Sequence, residues 1–299
     1  MPDEARIWTD KELNKMEIQI QEIYRKSSKD INAERQDYIE RGQKRLSSLY
    51  DEYMRSKNDE AKKVYMDAFR EYTFSNDRYK EMLNRTTLKL ANVNQKALEY
   101  LNGEMPHIYV YNYNYSKNLG VSFSLVDEAT VRRRIVSGEI LLPHKEIDIP
   151  KDQRWNTKQL NSSLLQGIIQ GESIPKIAKR IEPVVDNNKA AAVRNARTMT
   201  SGAENEGRLD SYRQMESKGM VLKKCWIATP GNRTRDWHSD IDGQEVDIEE
   251  PFIVGNGDKL ECPGDPKAHP RTVYNCRCSM KMRVVGMRMP DGSVKNIGG

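Results

Sequence analysis

The chain has 299 residues, 49 basic and 44 acidic side chains and a formal net charge of +5, with 37% of its residues hydrophobic. A mean hydropathy of -0.83 and the lack of an apolar run of about 18 residues exclude a membrane-spanning helix, and no basic start with an apolar follow-on predicts a secretory leader. Charge is nearly balanced along the chain, and no segment has the sustained basic excess expected of a dedicated DNA binder.

No proline lies between Pro2 and Pro106, and the only glycines there are Gly42 and Gly103. Apolar residues recur at helical steps: Leu13, Met16, Ile20 and Ile23; Ile39, Leu46, Leu49 and Tyr53; Tyr65, Phe69, Tyr72, Tyr79, Leu83, Leu90 and Ala97. This spacing lines one face of each helix and leaves charge on the others. It predicts two or three long helices, broken near residues 56–60, that pack as a bundle or dock on a partner.

Tyrosines then occupy every second position from Tyr109 to Tyr115. That period predicts a strand with four rings on one face. Such a face can stack bases or meet a partner, but with only Lys117 close by, an ordinary strand packed on the helices is the plainer expectation. Residues 1–150 are thus read as an elongated helical arm with a short tyrosine-rich strand region.

Asp127 and Gly138 bracket a short helix, and an extended connection is expected from Leu141 to Trp155. Asn156 or Thr157 should cap a helix running to Gln170 and stopped by Gly171. Ser173 and Pro175 should open another that ends before Pro183, and a long helix is expected from Asn188 to Ser217, closed by Gly219. Arg194, Arg197, Thr198, Asn205 and Arg208 fall near one face of it, and ion pairing with Glu204, Glu206 or downstream acids is the favoured account. Residues 151–220 form the predicted helical bundle segment.

Residues 221–285 are the predicted compact module, with 286–299 as a basic tail. All four cysteines lie in the module. A strand from Val221 to Ala228 carries Cys225 and Trp226, and Asp242-Gly243 makes a turn. If Cys276 to Met282 is a strand, Cys276 and Cys278 share a side, where two thiolates suit a metal ion; His238, Cys262 and His269 are the candidate co-ligands. Charge is uneven here: residues 240–265 hold nine acids and one lysine, whereas residues 266–299 hold seven basic residues and one acid.

Trp226-Ile-Ala-Thr, Arg233-Thr-Arg235, His238, Asp242-Gly243, a proline-rich loop and Asn275-Cys-Arg-Cys278, with Ala196-Arg197-Thr198 upstream, form an ordered set. As a set it resembles the Mu F-like head-morphogenesis family, the minor head proteins of tailed bacteriophages, over about residues 155–283. The resemblance implies a mainly α chain with a small α+β C-terminal domain. It also implies a non-enzymatic virion component present in few copies, associated with the portal or capsid interior, and supporting head assembly and DNA packaging or delivery. Portal, capsid or scaffold proteins are the partners implied, with packaged DNA nearby and no membrane.

Arg197, Trp226, Arg233, Arg235, Asp242, Gly243, Asn275 and Arg277 become the residues expected to lock the module. Many relatives carry Cys-Pro-x-Cys where this chain has Arg235 and His238. His238 can replace one thiolate, Arg235 cannot ligate a metal, and a structural zinc is therefore left open.

Two rival readings stand beside this one. One is a sequence-independent DNA-binding protein using Arg132, Arg133, Arg134, Lys281, Arg283 and Arg288, with binding that weakens in salt. The other is a metal-dependent nuclease built on His238 with Asp240, Asp242, Asn256 and His269.

Overall fold

The computed structural model describes residues 3–72, 77–115, 125–170, 172, 174–255 and 257–296. Lys117, Gly171, Ser173 and Asn256, each used in reading the sequence, lie outside the described residues. The N-terminal half folds into α1 (Glu4–Ser56), α2 (Asp59–Arg70) and α3 (Asp77–Tyr115). The break falls in the expected place: Lys57 adopts a left-handed φ of 49°, and the Asn58 side chain caps α2 by accepting the Ala61 N–H at 2.7 Å.

The tyrosine-rich stretch is not a strand; it is the end of α3, which runs through Pro106. Ile108, Tyr109, Asn112 and Tyr113 are the buried positions, a helical pattern rather than an alternating one. Asn112 hid this pattern in the sequence because it reads as polar, yet it is buried and its amide donates to Thr9 Oγ1 and the Ile108 carbonyl. Tyr111, on another face, stacks on Trp8 with ring centroids 3.7 Å apart.

The next helices are α4 (Glu128–Val136), α5 (Ile149–Ile169) and α6 (Ile174–Glu216). Asp127 caps α4 as expected. By contrast α5 starts well before Asn156: Asp148 accepts the Lys151 N–H at 2.9 Å, and Pro150 sits in the first turn, where its missing N–H costs nothing. Pro183 does not end a helix either, since α6 continues through it. The buried row Ile177, Ile181, Val184 and Asn188 outweighs one lost backbone bond.

The C-terminal part holds β1 (Met220–Ile227), α7 (Asp236–Ser239), β2 (Glu245–Asp247), β3 (Phe252–Ile253), β4 (Lys259–Leu260), α8 (Pro270–Val273), β5 (Ser279–Arg288) and β6 (Val294–Asn296). One antiparallel sheet has the order β2-β1-β5-β6, and β3 pairs with β4. Trp226 stands opposite Met280, and both are fully buried. β5 begins after the cysteines rather than at Cys276, and the expected tail instead completes β5 and returns as β6. The fold is thus mainly helical, with a small C-terminal sheet region.

The chain forms two units: residues 1–18, 99–145 and 193–299, and residues 19–98 and 146–192. The division read from the sequence, at residues 150, 220 and 285, follows chain order. These units interleave it because α1, α3 and α6 each give a segment to both. The second unit is helical and carries a buried polar ladder: Tyr24 donates to Asn94, Asn94 to Asp152 and Asn188, and Asn188 to Asn156. Such a satisfied network fixes helix register where apolar contacts alone would allow sliding.

The first unit contains the sheet, packed with Tyr109, Tyr113, Val131, Leu209, Tyr212, Trp226 and Phe252 in one apolar cluster. Gly207 lets α6 approach α3, since a Cβ there would meet the Tyr109 carbonyl oxygen at 2.5 Å. Next to this cluster lies a buried charge network. Arg208 holds Asp3 with two hydrogen bonds, at 2.6 and 2.8 Å, donates to the Met280 carbonyl, and pairs with Glu204 at 3.2 Å. Arg6 meets Glu204 from the other side at 2.5 Å. The first turn of α1 is thereby tied to β5 and α6.

Candidate functional site

The loop after β1, the C-terminal half of α6 and the segment before β5 converge on His238, Cys276 and Cys278. Trp226 anchors the loop: its backbone bonds both Gln244 and Gly243, Asp242 accepts the Ala228 N–H at 2.8 Å, and Gly243 takes φ +80° to close the turn. Arg235 then donates to the Tyr274 carbonyl at 2.6 Å and Thr229 to the Arg277 carbonyl. Asn275 has φ +59°, and its N–H donates to Thr198 on α6 at 2.7 Å. Ser201 and Asn205 both donate to the Cys278 carbonyl at 3.2 Å. Three elements are thus pinned by backbone carbonyls and amides.

Within this frame, His238 Nδ1 is 3.6 Å from Cys276 Sγ and 3.7 Å from Cys278 Sγ. All three residues are buried, and one donor atom from each lies within 4.8 Å of the others. The Cys276 thiol donates to Cys278, which with the His238 hydrogen bond holds Cys278 below the ordinary thiol range despite burial; the same contact, with burial, pushes Cys276 up. His238 Nε2 is buried without a hydrogen-bond partner. The His238 ring meets the edge of Trp226 at a centroid distance of 5.3 Å.

The donors fit zinc. Bonds of about 2.0–2.1 Å to nitrogen and about 2.3 Å to sulfur at tetrahedral angles put N and S roughly 3.6 Å apart. Among the described residues no fourth His, Cys, Asp or Glu joins the three. Cys262 points elsewhere, its sulfur 3.5 Å from Glu206, and His269 caps α8 by accepting the Arg271 N–H. These two candidate ligands are therefore not brought into the cluster.

Among the described residues the nuclease set does not assemble. His238 faces sulfur, Asp242 is used as a backbone cap and His269 as a helix cap. The proposed nucleic-acid residues are dispersed over two elements. Arg132 and Arg134 pair with Glu128 and Glu139 beside Arg133 on α4. Lys281, Arg283 and Arg288 lie on β5, where Arg283 pairs with Glu245.

Comparison with known proteins adds the family. The Phage Mu protein F like protein family matches residues 158–281, a span that contains His238, Cys276, Cys278 and the residues that pin them. The chain is also 28% identical over 224 residues to the minor head protein GP7 of Bacillus phage SPP1, covering 71% of this chain and 70% of that protein. Residues 158–281 thus carry the Mu F-like match, and the chain is similar to a phage minor head protein over most of its length. It also shares 26% identity over 172 residues with the NAD(+)--arginine ADP-ribosyltransferase EFV of Enterococcus faecalis strain ATCC 700802 / V583, covering 56% of this chain but 34% of that protein. No solved structure matches.

Sequence reading missed what holds the site from behind. Thr229 closes the Trp226-Ile-Ala-Thr motif, but nothing in that motif marks its bond to the Arg277 carbonyl. Arg6 and Asp3 lie some two hundred residues from Glu204 and Arg208, a separation that no local pattern encodes. Lys224 is buried in β1, where it donates to the Glu261 carbonyl at 2.8 Å and lies over the Phe252 ring. An alternating strand pattern gives no warning of that.

Proposed function

We propose that this head protein acts as a structural component docked at the portal or the inner capsid surface, not as an enzyme. The observation that carries this reading is the similarity to a minor head protein along 71% of this chain. The enzyme relative shares only 34% of its own length. The helical unit supplies the docking face in this reading. Tyr50 and Tyr65 pack at the α1–α2 turn, while Tyr50, Met54, Val64 and Met66 leave apolar surface exposed there.

The C-terminal module is the rigid end, locked by His238, Cys276 and Cys278, and zinc is the ion whose bond lengths those donors match. Bound zinc would supply cross-linking of the loop to the pre-β5 segment. DNA contact by Arg132, Arg133, Arg134, Lys281 and Arg288 is a secondary expectation, to be read from a salt-sensitive affinity.

The test is recovery of portal and proheads with the tagged chain from infected cells, wild type against Tyr50→Glu/Val64→Glu. Recovery by the wild type and loss in the folded variant is the expected result. A wild-type chain that recovers no virion protein overturns the docking reading. Transfer of ADP-ribose from NAD+ to arginine substrates overturns the non-enzymatic one.

A further inference from the structure

The pocket at the mouth of the Cys/His cluster has His238, Cys276 and Cys278 on one side and Arg197, Arg233, Arg235 and Arg277 with Thr229, Thr234 and Asn275 on the other, and no carboxylate lines it. This is unexpected in a lobe so rich in acids. Arg197 is neutralised by Glu17 at 2.7 Å. Arg235 spends its bond on a neutral carbonyl and keeps its full charge. Neither Arg233 nor Arg277 has a carboxylate partner among the described residues. Three guanidinium groups without a carboxylate partner around one small pocket outnumber the sulfurs that share it and form an electrostatic sink for an anion.

The frame is set in advance. Thr229 bonds the Arg277 carbonyl, Thr234 bonds the Thr229 carbonyl, and Asn275 is pinned to α6 through Thr198. The loops that carry Arg233, Arg235 and Arg277 are therefore fixed to each other before anything binds, which lowers the ordering cost of capture. The cavity is about 30 Å³, space for one or two waters or the oxygens of one small oxyanion, and too little for a base or sugar.

We propose that this pocket binds a single phosphate group, with Arg233, Arg235 and Arg277 as its donors. The group comes either from a free phosphate ion or from a nucleic acid, and if from the latter, the remainder of the nucleotide stays outside the pocket. The pocket is separate from the Arg132–Arg134 stretch on α4, and its ligand is chosen by guanidinium forks rather than by diffuse charge.

The full-length protein is titrated calorimetrically with sodium phosphate and melted in it, against sodium chloride of equal ionic strength. Saturable phosphate binding and a phosphate-specific rise in melting temperature are expected. Arg233→Gln/Arg277→Gln should melt like wild type without phosphate and lose on the order of tenfold or more in phosphate affinity. If the double variant does not fold, Arg233→Gln alone, at an exposed position, makes the same test with a smaller loss. Because His238, Cys276 and Cys278 are untouched, that loss assigns binding to the arginines rather than to an ion at the cluster.

Equal responses to chloride and phosphate, or unchanged phosphate affinity in the folded variant, overturn the proposal. Oligonucleotide competition then separates the sources. Competition only by a 5′-phosphorylated strand means a terminal phosphate, equal competition by its 5′-hydroxyl twin means backbone phosphate, and competition by neither means the free ion.

Discussion

Replacing Arg208 with Met tests whether the start of the chain is structurally part of the C-terminal module. The guanidinium is nearly inaccessible, with 3% of the side chain exposed, and it faces Glu204, which is fully buried. The substitution removes both bonds to Asp3, the donor to the Met280 carbonyl, and one of the two cations that neutralise Glu204. Asp3 is about one-third exposed and can rehydrate. Glu204 cannot, and although Arg6 and the Ser279 hydroxyl still hold it, removing one partner from a buried pair costs about 3–5 kcal/mol. At roughly 2–4 °C per kcal/mol for a domain of this size, melting should fall by about 6–20 °C. Arg208→Lys keeps the charge but loses the fork to Asp3, so its loss should be smaller. The assay is calorimetric melting beside Arg41→Met, whose pair with Asp37 is solvent-exposed and worth about 0–1 kcal/mol. Equal melting of Arg208→Met and Arg41→Met would refute the reasoning.

Trp226→Ala should cost about 3–5 kcal/mol in denaturant unfolding because the ring is wholly buried against Phe252 and His238. Trp226→Phe should cost far less, since the indole N–H it removes has no hydrogen-bond partner. Burial, then Asp210 and Asp265, push Glu206 up to about 7. Its folded value lies above its unfolded one, so the contribution to stability is complete below about pH 4.5 and is lost as pH rises towards 7. Glu206→Gln should accordingly stabilise the protein at pH 8, by on the order of 1 kcal/mol or more, and flatten its melting profile between pH 5 and 8. Gly207→Ala should destabilise by roughly 1–3 kcal/mol in the same melts, because the clash with Tyr109 exceeds the gain in helix propensity of about 1 kcal/mol. Elemental analysis of the purified chain should find one zinc per molecule, lost in Cys276→Ser/Cys278→Ser; a metal-free wild type would leave hydrogen bonds alone as the lock.

Local signals in the sequence were good guides where the chemistry is local. The Lys57–Asn58 break, the Asp127 cap, the β1 strand and the Asp242-Gly243 turn were all legible from residue type and spacing. The ordered motif around Trp226, His238 and Cys276-Arg-Cys278 carried the family. Failures came where tertiary burial outweighs a local cue. Asn112 is a buried polar residue that disguised a helix as a strand, and Pro183 is tolerated because α6 has an apolar face on both sides of it. At the site, residue type nominated five metal candidates, but only the fold separates His238, Cys276 and Cys278 from Cys262 beside Glu206 and His269 at its helix cap. The Arg208–Glu204 pair was legible from helical spacing, whereas the link from Asp3 and Arg6 to it has no local sequence signature. As a consequence, deleting residues 1–110 would remove part of the module's own unit rather than a separable arm.

The most direct test of the head-protein account is quantitative mass spectrometry of gradient-purified proheads and virions, alongside particles made without the protein. The account predicts a low, reproducible copy number in the wild-type heads and defective heads or defective DNA content in its absence. A chain absent from both particles, with normal heads forming without it, would contradict the account.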